Sequence, residues 1–285
     1  MATFSIEVMP RTAAKIESFS ALLPAGTRIY IAHLDGTPFS DMLATARRLT
    51  DEGFPVMPHI PARIVKDTSV LEDWLRAYRD DAGIDQALVL AGGIGQPQGA
   101  FESSIQLLET GLFDAFGFTR LHVAGHPEGN RDIDPDGTTQ MVDDAARWKQ
   151  DFAERTDAQM ALVTQFAFEA KPIVDWAARY AASGIDLPIH VGIAGPAKLQ
   201  TLLKFAIACG VGPSLRVLQK RARDVTKLLK PIEPTALLAD LAAQLRTGPP
   251  THIEQLHVFP LGGIPASAEY MANAQSDIRA QQFKG

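Results

Sequence analysis

The chain has 285 residues, 46% apolar and 21% charged, a composition that fits a globular protein and excludes a disordered or fibrous one. A formal net charge of −6 leaves no basic footprint for nucleic acid, and no apolar run approaches the ~20 residues that span a bilayer. No basic segment followed by an apolar one opens the chain, so a cytoplasmic protein with neither nucleic-acid nor membrane partners is expected. The single cysteine, Cys209, lies in an apolar helical run and reads as a buried small hydrophobe.

The first stretch, Phe4-Ser5-Ile6-Glu7-Val8-Met9-Pro10, reads as a buried strand stopped by proline, with one carboxylate near its C-terminal end. Burying an unpaired charge costs several kcal/mol, so Glu7 must be paired, protonated or used. A helix-compatible stretch follows from Arg11 to Leu23, broken by Pro24-Ala25-Gly26. A second strand, Arg28 to His33, leads into Asp35-Gly36. Helical spacing of Met42, Leu43, Ala46 and Leu49 predicts a helix over Phe39–Asp51. The third strand runs from Phe54 to Pro58 and ends at His59, and a helix over Asp67–Asp81 follows it. The fourth, Gln86 to Ala91, stops at Gly92-Gly93, and Ser103 to Gly111 reads as helix.

Leu121 to Ala124 is the fifth strand, running into Gly125-His126-Pro127-Glu128-Gly129-Asn130, and Thr139 to Arg155 is a long helix. The sixth strand, Met160 to Thr164, ends at Gln165, and Ala170 to Ser183 is helical. The seventh, Pro188 to Val191, is closed by Gly192. Three helical stretches then intervene (Lys198 to Cys209, Pro213 to Leu229, Pro234 to Leu245) before the eighth strand, Gln255 to Phe259, and a last helix over Ala266–Gln282. Strands alternating with helices require parallel pairing through helical crossovers. Eight of them, near the usual length for the fold and without Gly-x-Gly-x-x-Gly after the first, favour one closed (β/α)8 TIM barrel with extra helices between strands seven and eight. A doubly wound open sheet is the competing solution. The whole chain reads as one domain, and its apolar helices leave a homo-oligomer open.

In such a barrel the working groups sit at the C-terminal strand ends. Those ends carry Glu7, His33, Asp35, His59, Gly92, Gly93, His126, Glu128, Gln165, Gly192 to Lys198, and Phe259 to Gly263. Each has an ordinary structural explanation; the shared rim raises the functional one. His33, Asp35, His59 and His126 are metal-ligand types, but without a His-x-His or His-Glu-x-x-His spacing, and no metal is expected. No Gly-x-Ser-x-Gly elbow marks a nucleophile. Three glycine-containing loops (Gly92 to Gly95, Gly125 to Gly129, Gly192 to Gly195) offer backbone N–H groups to an anionic cofactor, each a weak signal alone.

These strand-end motifs, in order, resemble the methylenetetrahydrofolate reductase family over most of the chain. Phe4-Ser-Ile-Glu7-Val-Met-Pro10 looks like the family's Phe-Ser-Phe-Glu-Phe-Phe-Pro, and Pro58-His59 like its Pro-His-Leu. Ala124 to Asn130 is similar to its Gly-Tyr-Pro-Glu-x-His loop. Thr164-Gln165-Phe166 matches Thr-Gln-Phe, Gly192-Ile193 looks like the start of its seventh-strand loop, and His257 to Leu261 resembles its closing His-Phe-Tyr-Thr-Leu. The resemblance implies interconversion of 5,10-methylenetetrahydrofolate and 5-methyltetrahydrofolate, with NADH or NADPH as co-substrate and FAD as hydride carrier. It implies Glu7 as general acid protonating a folate nitrogen, and Gln165, Phe166, Leu199 and Phe259 as folate contacts. His33, Asp35, His59, Gly92, Gly93, His126, Glu128, Asn130 and Lys149 would line the flavin. Most of the departures fall on that flavin path, and one falls on the folate side. The family's Leu-Arg-Gly-Asp at strand four is Leu90-Ala91-Gly92-Gly93, its fifth-loop Tyr is His126 and its later His is Asn130, while Gly263 stands where a folate-contacting Arg is expected. Hydride transfer without a flavin is therefore a second version of the reaction. A folate-binding or methyl-transfer partner on the same barrel is the alternative outside redox chemistry.

Overall fold

The computed structural model describes residues 4–210, 218–219 and 230–282. Eight parallel strands close into a barrel in chain order: β1 Phe4–Val8, β2 Ile29–Ile31, β3 Val56–Pro61, β4 Gln86–Leu90, β5 Arg120–Gly125, β6 Gln159–Ala167, β7 Ile189–Ala194 and β8 Ile253–Phe259. The ring shuts where Phe4 and Ile6 of β1 lie in register with Leu256 and Val258 of β8. The expected barrel is thus the observed one, and the open sheet is excluded.

Strand period two divides each strand between two surroundings. Ile6, Ile29, Ile31, Val89, Val123, Val191 and Val258 face outward into the main core beneath the helices. Tyr30, Met57, Leu88 and Val163 form a separate cluster inside the bore. The crossover helices follow their local signals. Helix Phe39–Asp51 buries Met42, Ala46 and Leu49, three of the four residues whose spacing predicted it. Helix Thr68–Ala82 starts where the Asp67 carboxylate accepts a hydrogen bond from the Val70 N–H at 3.0 Å, and it ends at Gly83 in the left-handed region, φ 63°.

Several boundaries differ from expectation. The helix proposed for Arg11 to Leu23 is only Pro10–Ala13; turns follow, and Arg48 ties them down by donating to the carbonyls of Ala13 and Ile16. The Ser103 to Gly111 stretch is helical over Ser104–Glu109, and a further short helix, Leu112–Ala115, begins at Gly111 with φ 68°. β3 and β6 run past their expected ends, so His59 and Gln165 lie within strands. Between β7 and β8 the helices Leu199–Ala208 and Thr235–Thr247 match two of the three expected, and the third falls largely outside the described residues. Cys209 caps the first of these and is exposed rather than buried. Among the described residues no helix is long and apolar enough to cross a membrane.

Candidate active site

Period two also aims Glu7 into the bore, because its neighbours Ile6 and Val8 face the helices. Its Oε2 lies 3.3 Å from Nε2 of His59 on β3 and 3.7 Å from Nε2 of His257 on β8. The carboxyl stands at the mouth with its side chain 20% exposed. Burial raises the Glu7 pKa, and the nearby His59 only partly opposes this. Burial also pushes His59 down to about 4 despite the carboxyl beside it, and His257 down to about 3. Removing the charged forms from water outweighs pairing them. The arrangement is a carboxyl whose protonated form burial favours, set between two imidazoles whose neutral forms burial favours. His59 and His257 leave Nε2 without a hydrogen-bond partner, and Ser5 Oγ sits 2.9 Å from Nδ1 of His257.

Gln165, half-buried on β6, sits at an irregularity where the β6–β7 register shifts between Val163 and Phe166. Its Oε1 accepts the Phe166 N–H at 3.0 Å, and no partner holds its amide N–H groups among the described residues. Gly192 lets β7 approach this bulge, since a Cβ there would lie 2.5 Å from the Thr164 carbonyl oxygen. Phe166, Leu199 and Phe259 do come together, but in a buried cluster with Phe168, Ala194 and Leu202. Phe166 packs edge-on against Phe259 at 5.5 Å, and Phe259 against His257 at 4.8 Å. They wall the site on the β6–β8 side.

Of the residues assigned to a flavin, His59 belongs to the group around Glu7, and His33, Asp35, Asn130 and Lys149 are held by separate local partners. His33 donates through Nε2 to the Thr37 carbonyl, 3.0 Å away, and its ring leans on Trp74 at 5.0 Å, with burial lowering its pKa. Because that acceptor is a carbonyl, Nε2 is the protonated nitrogen. Asp35 accepts from Gln98 at 2.7 Å. Asn130 accepts the Asp132 N–H within its own loop. Lys149 is buried on helix Gln140–Ala153, its Nζ donating to the Ala124 carbonyl at 2.9 Å, and burial lowers it to about 8. The same burial and the Lys149 charge bring His126 down to about 3. Glu128 and Gly92 are half-buried on the rim and Gly93 is exposed. Arg63, which sequence reasoning passed over, is buried and donates to Asp132 at 2.7 Å and to the Ile94 carbonyl at 2.9 Å, tying the loops after β3, β4 and β5 together. Of the glycine loops, the one after β7 is glycine for packing: a Cβ at Gly195 would lie 2.1 Å from Ser267 Oγ. Among the described residues no group of three or more His, Cys, Asp or Glu is placed to hold a metal ion.

Sequence reasoning quoted His257 without giving it a task and missed Tyr30, His122 and His190, all buried in the bore. Polar residues at alternate positions of apolar strands were the available signal.

No protein-family model matches the chain. In fold it is similar to a Clostridium thermocellum protein that binds two copies of 5-methyl-5,6,7,8-tetrahydrofolic acid, with TM-score 0.57 and 15% identity over 96% of both chains. An intracellular xylanase from Thermoanaerobacterium saccharolyticum aligns at TM-score 0.42 and 12% identity, covering 90% of this chain and 85% of the xylanase. At these identities the likeness is one of fold, and the first of the two carries it.

Proposed function

We propose that the chain binds a reduced folate over the mouth of the barrel and interconverts its 5,10-methylene and 5-methyl forms, with Glu7 as the general acid. The observation that carries this reading is a strand-end carboxyl set 3.3 Å and 3.7 Å from two buried imidazoles, where burial raises its pKa. Opening a methylene bridge requires a proton on the departing nitrogen, and an acid of raised pKa supplies one near neutrality. The amide groups of Gln165 left without a partner match a pterin edge, which both donates and accepts. The folate ligand of the Clostridium thermocellum barrel supports the substrate class.

In the reducing direction a proton passes from Glu7 to the folate nitrogen, the carbon–nitrogen bond breaks, and NADH or NADPH provides the hydride that makes the methyl group. FAD, implied as the carrier by family resemblance, needs counter-charge for its diphosphate. Lys149 and Arg63 are committed to internal partners, and Ala91 stands where the family has arginine. The residues as placed do not form that flavin path, and the proton chemistry at Glu7 does not depend on it.

Purified protein is mixed with 5-methyltetrahydrofolate or the methylene form and either nicotinamide, with and without added FAD, while flavin bands and NAD(P)H absorbance are followed. Turnover is expected, and Glu7→Gln should lower it by about 10²- to 10⁴-fold with folate binding retained. Full turnover by Glu7→Gln would remove the acid from the mechanism. Tight folate binding with no turnover under any condition would favour the second reading, a folate-binding or methyl-transfer partner, which the altered fourth-strand end already motivates.

A further inference from the structure

The bore of this barrel is polar well below the mouth. Eight-stranded barrels of this kind usually fill it with branched aliphatic layers. Between Met57, Leu88 and Val163 this one instead buries Ser5, Tyr30, His122, His190 and His257. These groups form a file. His257 Nε2 lies 3.7 Å from Glu7, and its Nδ1 lies 2.9 Å from Ser5 Oγ. The Ser5 hydroxyl also interacts with that of Tyr30, whose ring packs 4.4 Å from the His257 ring. Tyr30 Oη is 2.5 Å from Nδ1 of His122. The His122 ring meets that of His190 edge to face at 4.7 Å, and His190 Nε2 lies 3.0 Å from Oε1 of Glu254. Glu254 is near the start of β8, at the opposite end of the barrel from Glu7, with its side chain 56% exposed.

We propose that this file is a proton path joining Glu7 to solvent at the far end of the barrel, so that the acid is recharged while substrate covers the mouth. The idea rests on the folate reading for what covers the mouth, not for the path itself. Every member between the two carboxyls carries both a donor and an acceptor when neutral. Burial holds His122 well below the usual imidazole range and His190 down to about 4, and the charges of Arg28 and Arg120 further disfavour a cation at His122. Glu254 opposes that trend at His190, and His59 faces Glu7 from β3 without entering the file.

One proton moves along the file and no charge accumulates in it. His257 Nε2, 3.7 Å from the Glu7 oxygen and without a direct hydrogen bond, passes its proton to the Glu7 carboxylate through a bridging water as Nδ1 takes the Ser5 proton. Ser5 takes that of Tyr30, and Tyr30 that of His122 Nδ1. His122 Nε2 and His190 Nδ1 are both buried without a hydrogen-bond partner, and one bridging water closes that link. The water gives a proton to His122 Nε2 and takes one from His190 Nδ1–H, while His190 Nε2 takes a proton that Glu254 has picked up from solvent. The five act through Glu7 and are positioning residues.

Hydrogen exchange at the ring N–H groups of 15N-histidine-labelled, ligand-free protein tests the path without folate or turnover. Exchange reaches His122 from both ends, so Glu254→Gln closes one approach and Tyr30→Phe the other. Exchange at His122 should slow by roughly tenfold or more in the double variant, with backbone amide protection unchanged. Glu254→Gln alone, at an exposed position, should slow exchange at His190. Parent-like exchange in Glu254→Gln, or in a folded double variant, overturns the path. Failure of the parent to bind or turn over folate, with exchange behaving as stated, would count against the folate reading and leave the path standing.

Discussion

The two faces of the same eight strands are built from different chemistry. Outward residues such as Ile6, Ile29, Val123, Val191 and Val258 form a continuous apolar layer with the helices. Inward residues one position along, Ser5, Tyr30, His122, His190 and His257, form a polar file buried just as deeply. Apolar burial of the first kind drives folding with little directional demand. The second kind contributes only where each polar atom finds a partner, and several imidazole nitrogens do not. The outer layer therefore carries the stability, and the inner file costs stability.

The largest expected effect of that division is acid sensitivity. His59 and His190 titrate at about 4 and His257 and His126 at about 3 in the fold, against an unperturbed value near 6.5. With folded pKa values depressed, the unfolded chain binds more protons below 6.5, so stability falls as pH falls from there toward 4 and 3. Each such histidine removes about 2 kcal/mol by pH 5. Glu7 works the other way: its raised pKa adds stability at low pH that fades as pH rises through the folded value. The histidines outnumber it. Unfolding free energies from denaturant curves at pH 7.5, 6 and 5 should fall by several kcal/mol in total, and a flat profile would show that the fold does not depress the pKa values of these histidines.

Adjacent substitutions on β2 separate the two faces next. Ile29→Ala, fully buried on the outer side, should cost about 2–5 kcal/mol with no change in the slope of stability against pH. Tyr30→Phe keeps the ring but leaves Nδ1 of His122 without its partner, which costs about 1–3 kcal/mol. Urea unfolding of both variants at two pH values checks the pair. A Tyr30→Phe loss as large as that of Ile29→Ala would mean that the file is also a main support of the fold.

The same division sets how much was legible. Barrel strands are buried on both sides and read as short apolar runs, so count, order and closure followed from the outer layer and the crossover helices alone. Glu7 stood out because one carboxylate in such a run is anomalous. Tyr30 and His122 did not, because a single Tyr or His amid Ile, Leu and Val is ordinary, and only pairing across the bore shows that Tyr30 of β2 reaches His122 of β5. Boundaries failed where a tertiary contact decided them. Arg48 holds residues 13–17 in turns where the local pattern allowed helix, and the β6 bulge carries Gln165 into a strand expected to stop before it.

Lys149 is the exception in the outer layer, a cation laid against the barrel wall, and it gives the smallest effect. Its pKa falls from 10.5 to about 8 through burial, so the folded chain releases this proton before the unfolded one does. Between pH 8 and 10.5 the unfolded state binds more protons at this site, and its contribution to stability must rise with pH. The rise is about 1–3 kcal/mol, and Lys149→Met should remove it while changing neutral-pH stability little, because a buried charge exchanged for a hydrophobe of similar volume is near neutral. The difference between parent and variant isolates this from other alkaline titrations. The variant also separates a structural lysine from a cofactor ligand. With Nζ committed to the Ala124 carbonyl, Lys149→Met should leave any affinity for added FAD unchanged, whereas a loss of tenfold or so would mean that the amine leaves the barrel wall to meet a diphosphate.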